Sequence, residues 1–331
     1  MTDRIALLLG LAALLLPAQE TVIPLPEETP GRWEGEIVAV ESRETAEGWG
    51  QPRFQLRAGK ELLWLHPSNS IHLAPGDRVA AEGIRTADEI AATVIRTAAF
   101  RGCPTRGDLK AAVVLYEMPG APIASSLPAA EIREAFFGAS RSVAGHWRES
   151  SAGAARVTGD VLGPFTVQQD FVSANVAALL PELVRIAANR VAWAQYNQIY
   201  FLLSATGAAG SLSVALGGCE SVPTELATRG YSGTVSMLSM IGKWSRERLL
   251  AKSVEQGYVS LGLGSADAID AAPLELGPPG AAGARIFRGD PFSPLGGTAG
   301  HIAAPSKAQI EWLTKGQDFQ EVERSGSYCM C

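Results

Sequence analysis

The chain has 331 residues, 47% of them apolar and 19% charged, with a formal net charge of −6. Such a composition is globular, and the length suffices for two domains with a sizeable core. The modest acidity excludes an extended nucleic-acid surface, which needs clustered Lys and Arg, and implies little beyond solubility.

Residues 1–18 read as a secretory signal peptide. Arg4 supplies the positive start, Ile5 to Leu16 an apolar run of twelve residues, and Pro17-Ala18 the cleavage region. That run is too short to span a bilayer comfortably, and no other stretch reaches about eighteen consecutive apolar residues. The expected protein is secreted or periplasmic, with no stable membrane insertion after signal cleavage. Residues 19–31, with Pro24, Pro26 and Pro30, read as an extended proline-rich linker.

Alternating apolar and polar residues then predict strands at Trp33–Val40, Phe54–Arg57, Leu62–His66, Val79–Ile84 and Glu89–Ile95, with a turn at Pro75-Gly76-Asp77. Five short strands within residues 32–98 predict a small OB-like β-barrel. Its strands lack the aromatics interleaved with bases that single-stranded nucleic acid requires. Residues 99–108 read as a linker into a second domain over 109–331.

In that domain Lys110–Tyr116 is an apolar run fit for a buried strand, and Ala129–Phe137 and Arg141–Arg148 have helical spacing. A helix end at Gly153 precedes a predicted hairpin that closes in a turn at Gly163-Pro164. Asn175–Arg190 is an amphipathic helix with Leu179, Leu183 and Ile186 on one side. Asn197–Ser204 is a buried-strand candidate, Leu212–Leu216 a short strand, and Arg246–Leu261 a further helix. Four cysteines, Cys103, Cys219, Cys329 and Cys331, allow up to two disulfides in three connectivities. A Cys329–Cys331 bridge would be strained, so pairing of Cys103 or Cys219 with the tail is the geometrically easier expectation.

Three separated phrases carry a family resemblance. The stretch Glu255 to Asp267, with Leu261-Gly262-Leu263-Gly264, resembles the HExxHxxGxxH segment of metzincin-type zinc peptidases. Trp147-Arg148-Glu149-Ser150 through Thr158-Gly159-Asp160-Val161 is similar to the pre-catalytic region of the gametolysin family and its bacterial relatives. Gly289-Asp290-Pro291 to Leu295-Gly296, then Gly300-His301 to Trp312-Leu313, resemble that family's methionine turn and the sequence after it. The resemblance covers roughly residues 109 to 328.

The resemblance implies an α+β chain whose second part is an α/β metallopeptidase-like domain, shorter at its C-terminus than in the family. It also implies an ancestral endopeptidase chemistry on extracellular glycoproteins or matrix. In register, Glu255 stands at the first ligand histidine, Gln256 at the general-base glutamate, Val259 at the second ligand, Ser265 at the third, and Leu295 at the methionine. A catalytic zinc needs three protein donors and an open position for water. Valine has no donor, serine is a poor ligand, and glutamine is no base near neutral pH. The expected reading is therefore a degenerate site with no metal, cofactor or assigned catalytic residue. The protein is expected to be a secreted pseudoenzyme that binds an extracellular peptide or protein in the remnant cleft. Two alternatives stand beside it: an active metallopeptidase that holds zinc with unconventional ligands such as His146, His301 and Glu255, and an adhesion or scaffold protein acting through the barrel.

Overall fold

The computed structural model describes residues 28–45, 48–49, 52–68, 71, 73–98, 103–168, 176–205, 212–217, 219, 222–263, 268–270, 284–286, 293–296, 300–313 and 318. The N-terminal part contains β1 (Glu28–Thr45), β2 (Gly48–Trp49), β3 (Arg53–Ala58), β4 (Glu61–Pro67), β5 (Arg78–Thr86) and β6 (Glu89–Ala98). The second part adds β7 (Gly107–Glu117), α1 (Ile123–Ser126), α2 (Ala129–Phe137), α3 (Val143–Ser150), β8 (Ala155–Thr166) and α4 (Val176–Ala187). It continues through β9 (Gln198–Ala205), β10 (Leu212–Gly217), α5 (Thr224–Ala227), β11 (Thr234–Ile241) and α6 (Arg246–Ser260). A small ribbon of β12 (Ala268–Asp270) and β13 (Ala284–Ile286), a 3-10 turn at Pro294–Gly296 and α7 (Ala304–Gln309) complete it.

These elements make a mixed α+β protein built on one large sheet. Its ten-strand path runs β3-β4-β6-β5-β1-β10-β11-β9-β7-β8, with β2 paired to β1. A further pairing of β1 with β3 closes β1, β3, β4, β6 and β5 into a five-strand ring. Strand β1 begins at Glu28, inside the stretch read as linker, because residues Glu28 to Glu36 pair with β5 from Thr86 back to Arg78. A bulge between Ile37 and Ala39 bends it. The Pro75-Gly76-Asp77 turn locks onto that bend: Ile37 N donates to Asp77 O at 2.8 Å and Gly76 N to Ile37 O at 2.7 Å. The Asp77 carboxylate is buried beneath, accepting from Ala74 N at 2.8 Å and pairing with Arg96 at 2.8 Å.

Beyond the ring, β8, β7, β9 and β11 are mutually parallel and β10 runs antiparallel to β11. Parallel strands covered on both faces read as near-continuous apolar runs. In β7, Ala111, Val113 and Leu115 face α2, α3 and α6, while Ala112, Val114 and Tyr116 face α4. The Tyr116 hydroxyl donates to Leu183 O of α4 at 2.7 Å, and burial pushes its pKa far above the usual tyrosine range. The ring interior, from Ile37 and Leu56 to Val94, belongs to the same apolar cluster as the α6 face of the main sheet.

Two sequence expectations need correction. The predicted hairpin after Gly153 is a single strand, β8, which pairs in parallel with β7 from Gly107↔Ala155 to Glu117↔Thr166. Cys103 pairs with Cys219 and not with the tail. The two half-cystines flank the end of β6 and the end of β10, segments that the sheet already brings together, whereas Cys329 and Cys331 lie outside the described residues. The signal-peptide stretch also lies outside them. Among the described residues no helix is long and apolar enough to cross a membrane, and the disulfide fits an oxidising compartment.

Candidate functional site

Helix α6 carries the positions aligned with the lost zinc motif. Ser245 caps it, its hydroxyl accepting from Arg248 N at 3.1 Å, and Glu247 adds an acid to the first turn. From Lys252 to Leu263 every residue is buried. The helix is wedged between the main sheet on one side and α2, α3 and the 3-10 turn at Pro294–Gly296 on the other.

Each motif position has an internal partner or an apolar surrounding. Glu255 accepts from Lys252 Nζ at 2.6 Å, with the two side chains 1% and 7% exposed. Lys252 lies one turn earlier on the same face, the spacing at which opposite charges meet on a helix. Gln256 donates through Nε2 to Ser213 Oγ of β10 at 3.1 Å. One turn on, Ser260 shares a hydrogen bond with Ser236 Oγ of β11 at 2.9 Å and donates to Val235 O at 3.2 Å. Val259 and Leu295 are buried in the apolar cluster. Ser265 lies outside the described residues.

A zinc ion does not fit the described residues. The carboxylate at the first position is bound to an ammonium group, which repels a cation. Val259 offers no donor. Among the described residues no three His, Cys, Asp or Glu side chains gather as a metal would need.

The edge beside α6 is also filled. A bare antiparallel edge next to a groove would accept an extended peptide as an added strand. Here β10 is paired on both sides, with β11 on one and with β1 on the other through Val40↔Ala215, Glu41↔Val214, Ser42↔Ser213 and Arg43↔Leu212. Glu41 is buried in this junction. Burial pushes its carboxyl up, against the opposing pull of Arg43 and Arg53.

Histidines 146 and 301 do come together, away from Glu255. Both meet at the hydroxyl of Ser150, the last residue of α3. Ser150 Oγ is 2.7 Å from His301 Nδ1 and 3.2 Å from His146 Nε2, and the latter is 2.9 Å from Tyr258 Oη of α6. His301 Nε2 faces Glu149 Oε1 at 3.4 Å. The two imidazoles stack at 5.4 Å with 19° between planes. Below them Trp147, Tyr258 and Trp312 form an aromatic floor, with Trp147 and Tyr258 stacked at 5.8 Å and Trp312 edge-on to Trp147 at 5.4 Å.

A hydroxyl, an imidazole and a carboxylate in series have the form of an activated nucleophile. Two features argue against that use. Ser150 is only 2% exposed, beneath the ring of His301. It also sits at the C-terminal end of its helix, where the backbone presents carbonyls and a partial negative charge, the opposite of an oxyanion site. The arrangement joins the segment around His301 to α3 and α6 and is suited to holding protons rather than to acyl transfer.

Sequence reasoning placed His146 and His301 apart, on a helix and in a loop, and had no reason to join them through Ser150. Lys252 was legible in principle: a lone cation three residues before Glu255 on an otherwise apolar face is the pattern of an internal ion pair. No protein-family model matches the chain, and no curated protein is recognisably similar to it.

Proposed function

We propose that this protein is a secreted, catalytically silent relative of gametolysin-type metallopeptidases that acts by binding and not by cleavage. The observation that carries this reading is the buried Lys252–Glu255 pair at 2.6 Å, where the first zinc ligand of the family would stand. The mixed sheet with α6 packed on one face supports the same ancestry, since the family phrases predict that helix at that place. Metal analysis of the purified protein together with cleavage of an unfolded protein substrate tests it. Substoichiometric zinc and no chelator-sensitive cleavage are expected. Stoichiometric zinc that a chelator removes would overturn the reading and return the alternative of an active peptidase with unconventional ligands.

With β10 paired on both edges, an extracellular peptide or protein partner has to dock elsewhere than along that edge. A second reading, an adhesion or scaffold role for the five-strand ring as an OB-like barrel, is favoured by one observation. The exposed large apolar side chains among the described residues, Leu62 at 42%, Ile84 at 45% and Ile95 at 65%, all belong to ring strands. Replacing the three by Ser should then release the protein from the surface of its producing cells while far-UV circular dichroism stays unchanged. Undiminished retention would sink this second reading.

A further inference from the structure

The segment from Gly300 to Leu313 lies over α3 and α6 and is fastened at two ends by different chemistry. At its far end the fastening does not titrate: Trp312 Nε1 donates to Thr105 O at 2.7 Å, and Gln309 Nε2 donates to Gly262 O at 3.1 Å. At its near end the fastening is the Ser150 hydroxyl between two imidazoles, with Nδ1 of His301 at 2.7 Å and Nε2 of His146 at 3.2 Å. We infer that this near end is an acid-operated latch. It holds residues 300–309 down on α3 and α6 while at most one of the two imidazoles is charged, and lets go when both are.

Proton counting carries the argument. A serine hydroxyl has one proton to give and lone pairs to receive. With both rings neutral, His146 Nε2–H donates to Ser150 Oγ, the Ser150 O–H donates to His301 Nδ1, and His301 Nε2–H faces Glu149. Add one proton to His301 and the chain reverses: Nδ1–H donates to Ser150 Oγ, and the serine proton turns to His146 Nε2 in its other tautomer. A second proton leaves no arrangement that satisfies the contacts. Both ring nitrogens then aim a proton at the same oxygen, and neither imidazole can receive the serine's own.

Charge acts in the same direction. Two stacked cations 5.4 Å apart repel, and Lys307 on α7 adds a third positive charge bearing on His146. From α3 only Glu149 answers them, at 3.4 Å from His301 Nε2 and with a side chain 75% exposed. From α6 the neighbouring group is the Tyr258 hydroxyl, which burial keeps neutral. Burial first, then His301 and Lys307, pull His146 down to about 4. The second proton therefore arrives in mild acid, below about pH 5, where a histidine pair serves as a sensor. Release of residues 300–309 uncovers Tyr258 and Trp147 while Trp312 keeps its own bond to Thr105.

Hydrogen exchange of the full chain, followed by mass spectrometry between pH 7 and pH 4 and corrected for intrinsic rates, tests the latch. Protection over residues 300–309 should fall by about tenfold or more, the change that one unit of linked titration supplies, before far-UV circular dichroism changes. His146→Gln and His301→Gln should each abolish that fall. Two surface variants keep the test sharp should those fail to fold: Lys307→Gln should move the midpoint to lower pH and Glu149→Gln to higher pH. Loss of protection only together with global unfolding, or unchanged midpoints in both surface variants, would overturn the inference.

Discussion

Two polar clusters touch α6, and they differ in one respect that decides their chemistry. The Lys252–Glu255 pair is sealed, with both side chains under a tenth exposed, and each charge is answered by the other. The His146–Ser150–His301 cluster opens to solvent through His301, whose side chain is 43% exposed, and is held by one hydroxyl. In the first, taking away either member leaves a charge in a medium that cannot solvate it. In the second, protons enter and leave with the outside pH. A place where a catalytic ion would stand has thus become rigid core, while a neighbouring site with no ancestral assignment has kept exchangeable protons.

The largest test of that contrast is Lys252→Met. Removing the ammonium beside the buried Glu255 carboxylate should cost about 3–5 kcal/mol in urea unfolding, and the double change with Glu255→Leu should recover most of it. A single-variant cost below about 1 kcal/mol would mean that the pair is wetter than described. Next comes the Cys103–Cys219 bond, which joins segments 116 residues apart and ties the end of β10 to the ring. Cys103→Ser should lower stability by about 2–5 kcal/mol, read as a lower urea midpoint than that of the oxidised parent.

The open cluster should show itself in the pH dependence. His146 sits near 4 when folded against an ordinary 6.5. The unfolded chain therefore takes up the proton at higher pH, and acid favours unfolding. This contribution is fully present above pH 6.5 and is lost as pH falls through about 4, amounting to about 1–3 kcal/mol. Urea unfolding followed across that range should flatten in His146→Gln. The smallest effect is expected at Gly257, where an added Cβ would come 2.7 Å from Tyr200 Oη. Tyr200 cannot swing away, being buried and edge-on to Phe136 at 5.0 Å. Gly257→Ala should lower stability by about 1 kcal/mol despite the better helix propensity, and in a Tyr200→Phe background the sign should reverse.

Much of the framework is legible in the residues. Period-two alternation marks β3 to β6, and apolar continuity marks β7 and β9 within a few residues. Helices α2, α4 and α6 follow their apolar stripes. Strand β11 is not legible in the same way. Thr234-Val235-Ser236-Met237-Leu238-Ser239-Met240 is buried throughout, yet its serines and methionines give neither alternation nor β-branched density. Its hydroxyls make sense only once Ser260 of α6 is seen opposite Ser236. The missed direction of β8 has a related cause, since a strand's partner lies outside its own sequence and a turn of Gly and Pro invites a hairpin. At the site, the absence of zinc donors can be read from residues 255 to 259. What replaced them depends on Lys252, Ser213 and Ser150, which no spacing rule ties to the motif.

The long strand β1 has a consequence for how the chain acquires its shape. Its first two-thirds find partners within the next sixty or so residues, whereas Val40 to Arg43 wait for β10, more than half the chain later. During synthesis that end of the strand stays a bare, pairing-competent edge, and late non-local closure is slow. Assembly of the carboxyl-terminal half is then a templated event, seeded by a strand made long before it, and a circularly permuted chain that delivers β1 last should mature by a different route.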